Sequence, residues 1–237
     1  MKTKAAVLYE VGSPLVIEEL ELEGPKENEI LVNYTASGIC HSDYSFAHGV
    51  LPTQLPAVLG HEGAGVVEEV GANVTNVKVG DHIVAALTPA CGKCTFCLES
   101  KPFLCAEMSS VIWEGCLLDG TKRFKNSKGE DIGQLVCVGT FSERSVIPAG
   151  MAIKVDNKAP LDTICLIGCG VTTGVGAALN TVDIKEGDSC AVIGCGGVGL
   201  SIIQGCRIAG AGQIIAIDPV AEKRELALSM GATIAID

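Results

Sequence analysis

The first part of the chain alternates short apolar runs with turns. The segments "EILVNYTAS", "AGVVEEVG" and "DHIVAAL" have the length of β-strands, and the first alternates apolar and polar residues in part. Glycine punctuates these runs at Gly65, Gly71 and Gly80. From Lys4 to about Ile147 the pattern predicts a β-rich domain. Inside it, the polar and less regular stretch between Cys105 and Val136 predicts a long surface excursion.

From about Pro160 the pattern changes to strands that alternate with helices. "SCAVIG", "QIIAID" and "ATIAID" are buried-strand runs, and "GVGLSIIQGCRIAG" and "PVAEKRELALSMG" between them have helical character. This βαβαβ series predicts a parallel sheet. The sequence therefore predicts two domains, a β-rich one over residues 1–160 and an α/β one over residues 161–237.

Composition limits the classes of protein. The formal charge of −11 disfavours nucleic acid and anionic membranes as partners, because phosphate rewards clustered lysine and arginine. No window of the sequence reaches the roughly 18 uninterrupted apolar residues of a membrane span, and no signal-peptide core follows the first lysines. We therefore expect a cytoplasmic protein. Its 12 cysteines are then expected to bind metal or to be buried, because that compartment is reducing.

Four cysteines lie close together in "CGKCTFCLESKPFLC", namely Cys91, Cys94, Cys97 and Cys105. Four thiolates on one loop close a tetrahedral shell around zinc, and a closed shell is structural because it has no open position. An iron–sulfur cluster is the rival interpretation, although the last spacing is long and no proline follows Cys105. Burial without metal is the third, and a polar loop makes it the poorest.

The segment "GCGGVG" fits the G-x-G-x-x-G pattern of dinucleotide-binding loops with Gly194, Gly196 and Gly199. It follows a predicted strand and opens a predicted helix, and Asp218 ends the next strand 19 residues after Gly199. The glycines let a pyrophosphate approach the helix N-terminus, and the carboxylate accepts hydrogen bonds from ribose hydroxyls. The same carboxylate repels a 2′-phosphate, which favours NAD over NADP. Glycines that only permit tight helix packing are the alternative.

A third group is dispersed along the chain: Cys40, His61 with Glu62, and Cys169. One histidine and two cysteines are the ligands of a three-ligand catalytic zinc, which keeps one position for water or substrate. Spacing alone does not show that they converge, and each cysteine or histidine taken singly is more often simply buried.

The order of these motifs resembles the zinc-dependent medium-chain alcohol dehydrogenases. It comprises "CHSD" from Cys40, "GHEG" from Gly60, the four clustered cysteines, "GCG" from Gly168, and the glycine loop with Asp218. The resemblance runs from residue 4 to the end of the chain. It implies a GroES-like β-barrel catalytic domain followed by the first βαβαβ half of a Rossmann domain.

The resemblance also implies the roles of the metal-site residues. Cys40, His61 and Cys169 would ligate the catalytic zinc, and Asp43 would orient His61. Glu62 would lie behind the metal and ligate it transiently, while Ser42 would hydrogen-bond the alcohol. On the cofactor side, His41 would face the pyrophosphate and Thr173 the nicotinamide. The remaining NAD-binding residues would be Gly194, Gly196, Gly197, Val198, Gly199, Asp218 and Lys223. Two zinc ions per subunit and NAD are thus expected.

Some positions depart from the family pattern. Many relatives place a histidine where this chain has Ser45, so the sequence does not identify the group that passes the proton to solvent. His48 is either a substitute for that histidine or a solvated loop residue. Relatives that oxidise the glutathione adduct of formaldehyde carry an arginine at the position of Ser109 and acidic groups where this chain has "GVLPTQLP". We therefore expect a primary or aryl alcohol as substrate, with S-(hydroxymethyl)glutathione as the alternative.

The family normally continues through a second half of the Rossmann domain. The hypothesis from sequence is accordingly an N-terminal piece of a longer enzyme, in which the strand with Ala191, Val192 and Ile193 becomes an apolar edge. The full enzyme is expected to be a homo-oligomer, a dimer or tetramer. The second class of function is a zinc-stabilised fragment that binds metal without turnover, and a zinc-free quinone reductase relative is the third.

Overall fold

A computed structural model describes residues 1–88, 90, 91, 93–106, 108 and 113–237. These residues form two compact units, Met1–Gly168 and Cys169–Asp237. The division lies after Gly168, whereas the sequence placed it after residue 160. Helix α3 (Leu161–Ile164) and the 3-10 turn Cys165–Gly168 pack on strands of the first unit, which is why they belong to it.

The first unit contains a closed barrel with strand order β1-β2-β7-β8-β4. Its strands are short, and only the β4–β8 pair is parallel among those described. The bounds are β1 Lys2–Leu8, β2 Val16–Leu22, β4 Ala57–Val58, β7 Phe124–Lys125 and β8 Asp131–Gln134.

An antiparallel sheet of five strands completes this unit, in the order β10-β6-β5-β3-β9. Its bounds are β3 Glu29–Gly38, β5 Glu62–Val70, β6 His82–Ala85, β9 Arg144–Pro148 and β10 Ala152–Lys154. Strand β3 lies inside the sheet, and its first four residues are all buried, so its pattern alternates only in part. The sequence prediction of a β-rich first domain is confirmed.

Two short helices interrupt these strands, and the sequence pattern indicated neither. Helix α1 (His41–Ala47) follows β3, and Cys40 is its N-cap residue. Helix α2 (Thr95–Leu98) lies among the clustered cysteines. Because α1 has only seven residues, it is too short for helical periodicity to be visible in the sequence.

The predicted surface excursion between Cys105 and Val136 is wrong for its second half. Leu117, Phe124, Ile132 and Leu135 are at most 1% exposed, and β7 and β8 close the barrel. The segment has a polar composition, but some of its charged residues are paired inside the fold. The fully buried Arg123 guanidinium donates to the carboxylates of Glu29 and Asp119.

Arg123→Leu is expected to lower the free energy of unfolding by about 3–5 kcal/mol, because it leaves the buried Glu29 carboxylate without its cation. The matched control is Lys128→Leu at an exposed position of the same segment, with an expected change within about 0.5 kcal/mol. Urea unfolding followed by circular dichroism measures both. Equal stability of the two variants would contradict a structural role for this ion pair.

The second unit has the predicted βαβαβ order. Its parallel sheet has the order β11-β12-β13, with β11 (Ser189–Ile193) at an edge. The other bounds are α4 Gly170–Gly176, the π-helical turn Ala177–Thr181, α5 Gly197–Ile208, β12 Gln213–Ile217, α6 Ala221–Met230 and β13 Ile234–Ile236. Ile193 on β11 is 84% exposed, in agreement with the predicted apolar edge.

In the described part of the chain, no single helix is long and apolar enough to cross a membrane. One bent pair of short helices, Leu161–Gly168 with Gly170–Thr181, meets that test jointly by length and composition only.

Candidate metal and nucleotide sites

Three side chains with metal-ligating atoms converge in the first unit. One ligand atom each of Cys40, His61 and Glu62 lies within 4.8 Å of the others. They come from two adjoining strands of the five-stranded sheet, because Cys40 follows β3 and His61 immediately precedes β5. His61 and Glu62 are each 4% exposed, so the group lies at the inner end of this sheet rather than on the open surface.

Asp43 organises this group from the first turn of α1. Its carboxylate accepts hydrogen bonds from the Cys40 amide at 3.0 Å and the Gly60 amide at 3.1 Å, and it contacts His61 Nδ1 at 3.0 Å. A carboxylate can only accept from Nδ1–H, which leaves Nε2 as the atom that ligates a metal. The role implied for Asp43 by the resemblance is thus matched by a direct contact.

The surroundings of the Cys40 thiol favour its ionised form. Burial opposes the thiolate, but the amide and hydroxyl of Ser42 and the imidazole of His61 outweigh it, so the pKa of Cys40 lies below its ordinary value. The Ser42 hydroxyl lies 3.6 Å from Cys40 Sγ, beside the same group. A thiolate and an imidazole nitrogen are the donors that zinc prefers, so the donor set fits this ion.

Two glycines make room for this group. A Cβ atom on Gly38 would lie 2.3 Å from a carboxylate oxygen of Glu62, and one on Gly60, whose φ is +87°, would lie 2.4 Å from the Phe141 ring. The "GHEG" motif contains Gly60, but no pattern in the sequence marks Gly38, because its need arises from Glu62 on a neighbouring strand.

Cys169 is the first residue of the second unit. The residue before it, Gly168, belongs to the first unit, and a Cβ atom there would lie 2.6 Å from the Ala85 carbonyl oxygen and 3.7 Å from that of His61. Glycine at 168 therefore lets the chain run close to the backbone of His61 immediately before Cys169.

The four clustered cysteines have the spacing of a single-ion shell. Their sulfur atoms all lie within 4.8 Å of one another, with Cys94 at 3.5 Å from Cys97 and 3.8 Å from Cys105. A tetrahedral ion with bonds of about 2.3 Å sets sulfur–sulfur distances of about 3.8 Å. The structure thus favours one zinc ion over an iron–sulfur cluster, which needs more space between the sulfurs.

Backbone amides favour thiolates in this shell. Hydrogen bonds, first from the Cys97 amide, lower the pKa of Cys94 to about 6. For Cys105, burial opposes ionisation, but the Cys91 amide and further hydrogen bonds outweigh it and lower the pKa. Within the described residues 93–106, Cys105 alone is buried, so this lobe has no apolar core of its own. Beyond its backbone hydrogen bonds, a metal held by the four thiols would supply order to the lobe.

The glycine loop of the second unit has two kinds of glycine. Gly194 has φ +90°, and a Cβ atom on Gly199 would lie 1.8 Å from the Gly194 carbonyl oxygen, so the tight turn requires both. A Cβ atom on Gly196 or Gly197 would meet nothing within 4 Å. Packing therefore does not explain these two glycines, and the open space beside the N-terminus of the 12-residue helix α5 fits a phosphate group.

Asp218 is hydrogen-bonded to this loop. Its carboxylate accepts hydrogen bonds from the Cys195 amide at 2.8 Å and the Val220 amide at 2.9 Å, and these two bonds lower its pKa. Asp218 therefore stays ionised, and each oxygen keeps a lone pair that a ribose hydroxyl can use. Lys223, on α6, lies near enough to lower the pKa of Asp218 further.

The other predicted site residues are more exposed to solvent. Thr173 on α4 and His41 on α1 have exposed side chains, and Val198 is 42% exposed in the first turn of α5. Ser109, on which the argument about glutathione depends, lies outside the described residues. In the part of the chain that the structure describes, the cysteines form no disulfide bonds.

Comparison with known proteins finds related sequences along most of the chain. Residues 26–157 match the family model described as alcohol dehydrogenase GroES-like domain, and residues 197–237 match the zinc-binding dehydrogenase model. The chain is 49% identical to the NDMA-dependent alcohol dehydrogenase of Amycolatopsis methanolica and 47% identical to the S-(hydroxymethyl)glutathione dehydrogenase of Saccharomyces cerevisiae. Each match covers 98% of this chain and 62% or 61% of the relative.

Solved structures give the same result. The benzyl alcohol dehydrogenase of Acinetobacter calcoaceticus is 33% identical with a TM-score of 0.90, over 100% of this chain and 64% of that one. The chain thus spans a little under two thirds of the length of these relatives. The expected barrel domain and partial Rossmann domain are confirmed, and the chain belongs to the family of zinc-dependent alcohol dehydrogenases with a GroES-like domain.

Proposed function

We propose that this chain serves an NAD-dependent zinc alcohol dehydrogenase, which oxidises a primary or aryl alcohol to the aldehyde. The observation that carries the proposal is the contact of Asp43 with Cys40, Gly60 and His61, which directs two metal-ligating side chains toward one point. In this proposal Cys40, His61 and Cys169 hold a catalytic zinc, Glu62 assists metal exchange, and Cys91, Cys94, Cys97 and Cys105 hold a structural zinc.

The residues divide the work of the reaction. When bound, the zinc acts as a Lewis acid that lowers the pKa of a hydroxyl group, and NAD accepts the hydride. Ser42 receives the alcohol proton, because its half-buried hydroxyl lies beside Cys40 and also reaches toward solvent. Asp43 holds His61 in one tautomer. His41 and Thr173 contact the cofactor, and Asp218 with Lys223 binds its adenosine ribose.

The loop after α1 supports an uncharged substrate. No charged residue occurs between His48 and His61 in the sequence, and the half-buried Leu51 donates its amide to the Ser45 carbonyl at the end of α1. A loop without charged residues next to α1, the helix that carries Ser42, suits an aryl or alkyl group better than the charged glutathione moiety. S-(hydroxymethyl)glutathione stays as the second candidate, because of the 47% identity to the yeast enzyme.

A substrate screen tests the proposal. The whole chain, with its zinc content measured in parallel, would be assayed with benzyl alcohol, ethanol and S-(hydroxymethyl)glutathione, with NAD or NADP as cofactor. A further arm uses NDMA as the acceptor, since a relative carries that compound in its name. We expect two zinc ions, a preference for benzyl alcohol and a preference for NAD. Preference for the glutathione adduct would overturn the substrate class, and two zinc ions without turnover would support a metal-binding fragment.

His48→Gln is expected to leave the pH profile of turnover unchanged. The exposed imidazole donates through Nδ1 to the Tyr44 carbonyl at 2.9 Å and stacks on the Tyr44 ring, so it caps α1 instead of carrying protons. Ser42→Ala is the contrasting variant, with turnover lowered by about 10²- to 10⁴-fold because a proton-transfer group is lost. A shifted profile in His48→Gln would instead assign His48 to the proton exit.

The assembly and compartment of the full enzyme are also part of the proposal. We expect a homo-oligomer in the cytoplasm, where reducing conditions keep the metal-binding thiols available. Light scattering after size-exclusion chromatography measures the assembly.

A further inference from the structure

Two cysteines outside both metal-ligand groups lie against each other in the first unit. The Cys137 thiol donates to the Cys116 carbonyl oxygen at 3.2 Å. Cys137 is fully buried, and burial, with Cys116 as a neighbour, raises its pKa to about 12. Cys137 is therefore protonated and shielded from solvent.

Cys116 is the accessible member of the pair. It is half-buried and lines a surface cavity of about 380 Å³. The cavity wall includes both carboxylates and lysines, namely Glu23, Asp131, Lys26, Lys122 and Lys125. The Cys116 thiol donates to the Glu114 carbonyl oxygen at 3.5 Å, a long contact, so rotation about one bond redirects it. A small oxidant in the cavity thus reaches Cys116 before it reaches Cys137.

The backbone holds the two residues next to each other. The Gln134 amide donates to the Gly115 carbonyl at 3.0 Å, so the chain before Cys116 is aligned with the chain before Cys137. The Cys137 sulfur is 3.2 Å from the Cys116 carbonyl oxygen. That oxygen is about 2.4 Å from its own Cα by covalent geometry. The Cys137 sulfur therefore lies within about 6 Å of the Cys116 Cα. Rotation of the Cys116 side chain toward Cys137, with a small movement of the backbone, brings the two sulfurs to the length of an S–S bond, about 2.05 Å.

Cys137 lies in a strained turn. Val136 has φ 43° and Cys137 has φ 64°, so two successive residues with side chains occupy the left-handed region. The Gln134 side-chain amide holds the turn through the carbonyls of Cys137 at 2.8 Å and Val146 at 2.9 Å. Strained backbone of this kind persists only where surrounding contacts fix it, and here it presents a thiol to Cys116.

The turn is also connected to the metal-ligand group. Three residues after Cys137, the Thr140 amide donates to the Gly60 carbonyl at 3.0 Å, and the Phe141 amide donates to that of Leu59 at 2.9 Å. Gly60 in turn donates to Asp43 and precedes His61. A covalent change at the turn therefore acts on backbone that adjoins His61.

We propose that Cys116 and Cys137 are a redox pair that a hydroperoxide converts to a disulfide. The Cys116 sulfur attacks the hydroperoxide, the O–O bond breaks, and Cys116 sulfenic acid and an alcohol, or water from hydrogen peroxide, are formed. The Cys137 thiol then attacks the sulfenic sulfur, its proton leaves with the hydroxyl group as water, and the S–S bond forms. The two thiols lose two electrons and two protons, which the peroxide accepts.

Peptide mapping tests the pair. The zinc-loaded chain would be treated with stepwise additions of hydrogen peroxide, unfolded in the presence of iodoacetamide so that buried thiols are also alkylated, and cleaved after glutamate. Cleavage after Glu114, Glu130 and Glu143 gives fragments 115–130 and 131–143, each with a single cysteine. We expect one cross-linked species whose mass is the sum of the two fragments less two hydrogen atoms, and which dithiothreitol separates.

Two variants complete the experiment. Cys116→Ser is expected to abolish the cross-link and leave Cys137 alkylated, whereas Cys190→Ser, which removes a half-buried thiol of the second unit, is expected to retain it. Fragment 115–130 carrying a sulfinic acid beside an alkylated Cys137 would overturn the proposal, as would a cross-link from Cys137 to another cysteine. Wild type and Cys116→Ser together decide the result, so no substitution of the buried Cys137 is needed.

Discussion

Replacement of His61 by alanine is expected to remove one of two zinc ions and to lower alcohol turnover by at least about 10³-fold, equivalent to about 4 kcal/mol of transition-state stabilisation. The side chain is 4% exposed and is fixed by Asp43, so in the proposed site no neighbouring group replaces its Nε2 atom. Zinc analysis together with NAD-coupled benzyl alcohol oxidation measures both effects.

Asp43→Asn is the graded control for this result. The amide keeps the shape of the carboxylate but weakens its hydrogen bonds to Cys40, Gly60 and His61. We expect metal affinity or turnover to fall by about 10- to 100-fold, less than in His61→Ala. If His61→Ala retained two zinc ions, His61 would not be a ligand, and the first donor set would need a different interpretation.

Cys94→Ser is expected to remove the other zinc ion and to unfold the lobe of residues 91–105. Structural zinc contributes about 10–16 kcal/mol of binding free energy in isolated zinc-finger peptides, and binding of this kind is coupled to folding. The described residues 93–106 bury only Cys105, so no apolar core compensates for loss of the ion. We expect a lower melting temperature and rapid proteolysis within the lobe.

The control for this prediction is Cys116→Ser, which changes a cysteine outside the shell. It is expected to keep both zinc ions and the proteolysis rate of the wild type. If Cys94→Ser also keeps them, the four thiols are not a zinc shell. The two cysteine variants together therefore separate loss of the metal from a general effect of removing a thiol.

The sequence predicted the elements of the second unit well because each has a strong local signal. Strands such as Ser189–Ile193 are apolar runs, although only Val192 of this strand is buried, and Gly231 marks the end of α6 with φ 124°. The first unit was less predictable. Its strands β7 and β8 have two and four residues, too few for a periodic pattern, and the buried Arg123 gives their segment a polar composition.

The two groups of metal-ligating residues also differ in how far the sequence predicted them. The four clustered cysteines lie within fifteen residues, from Cys91 to Cys105, so their spacing alone indicates a shared ion. For Cys40 and His61 the sequence showed only residue types in a familiar order, and the pairing of β3 with β5 brings them together. The requirement for glycine at position 38 was invisible, because it comes from the Glu62 carboxylate across that pair.

By itself, the sequence determined the local chemistry of this protein: the cysteine cluster, the glycine loop with Asp218, and the residue types of the first metal group. These signals are short-range, so spacing preserves them. Only the tertiary structure decided which distant side chains meet, namely Asp43 with His61, Arg123 with Glu29, and Cys116 with Cys137. Such contacts depend on strand pairing and on the course of loops over the barrel, which no local pattern encodes.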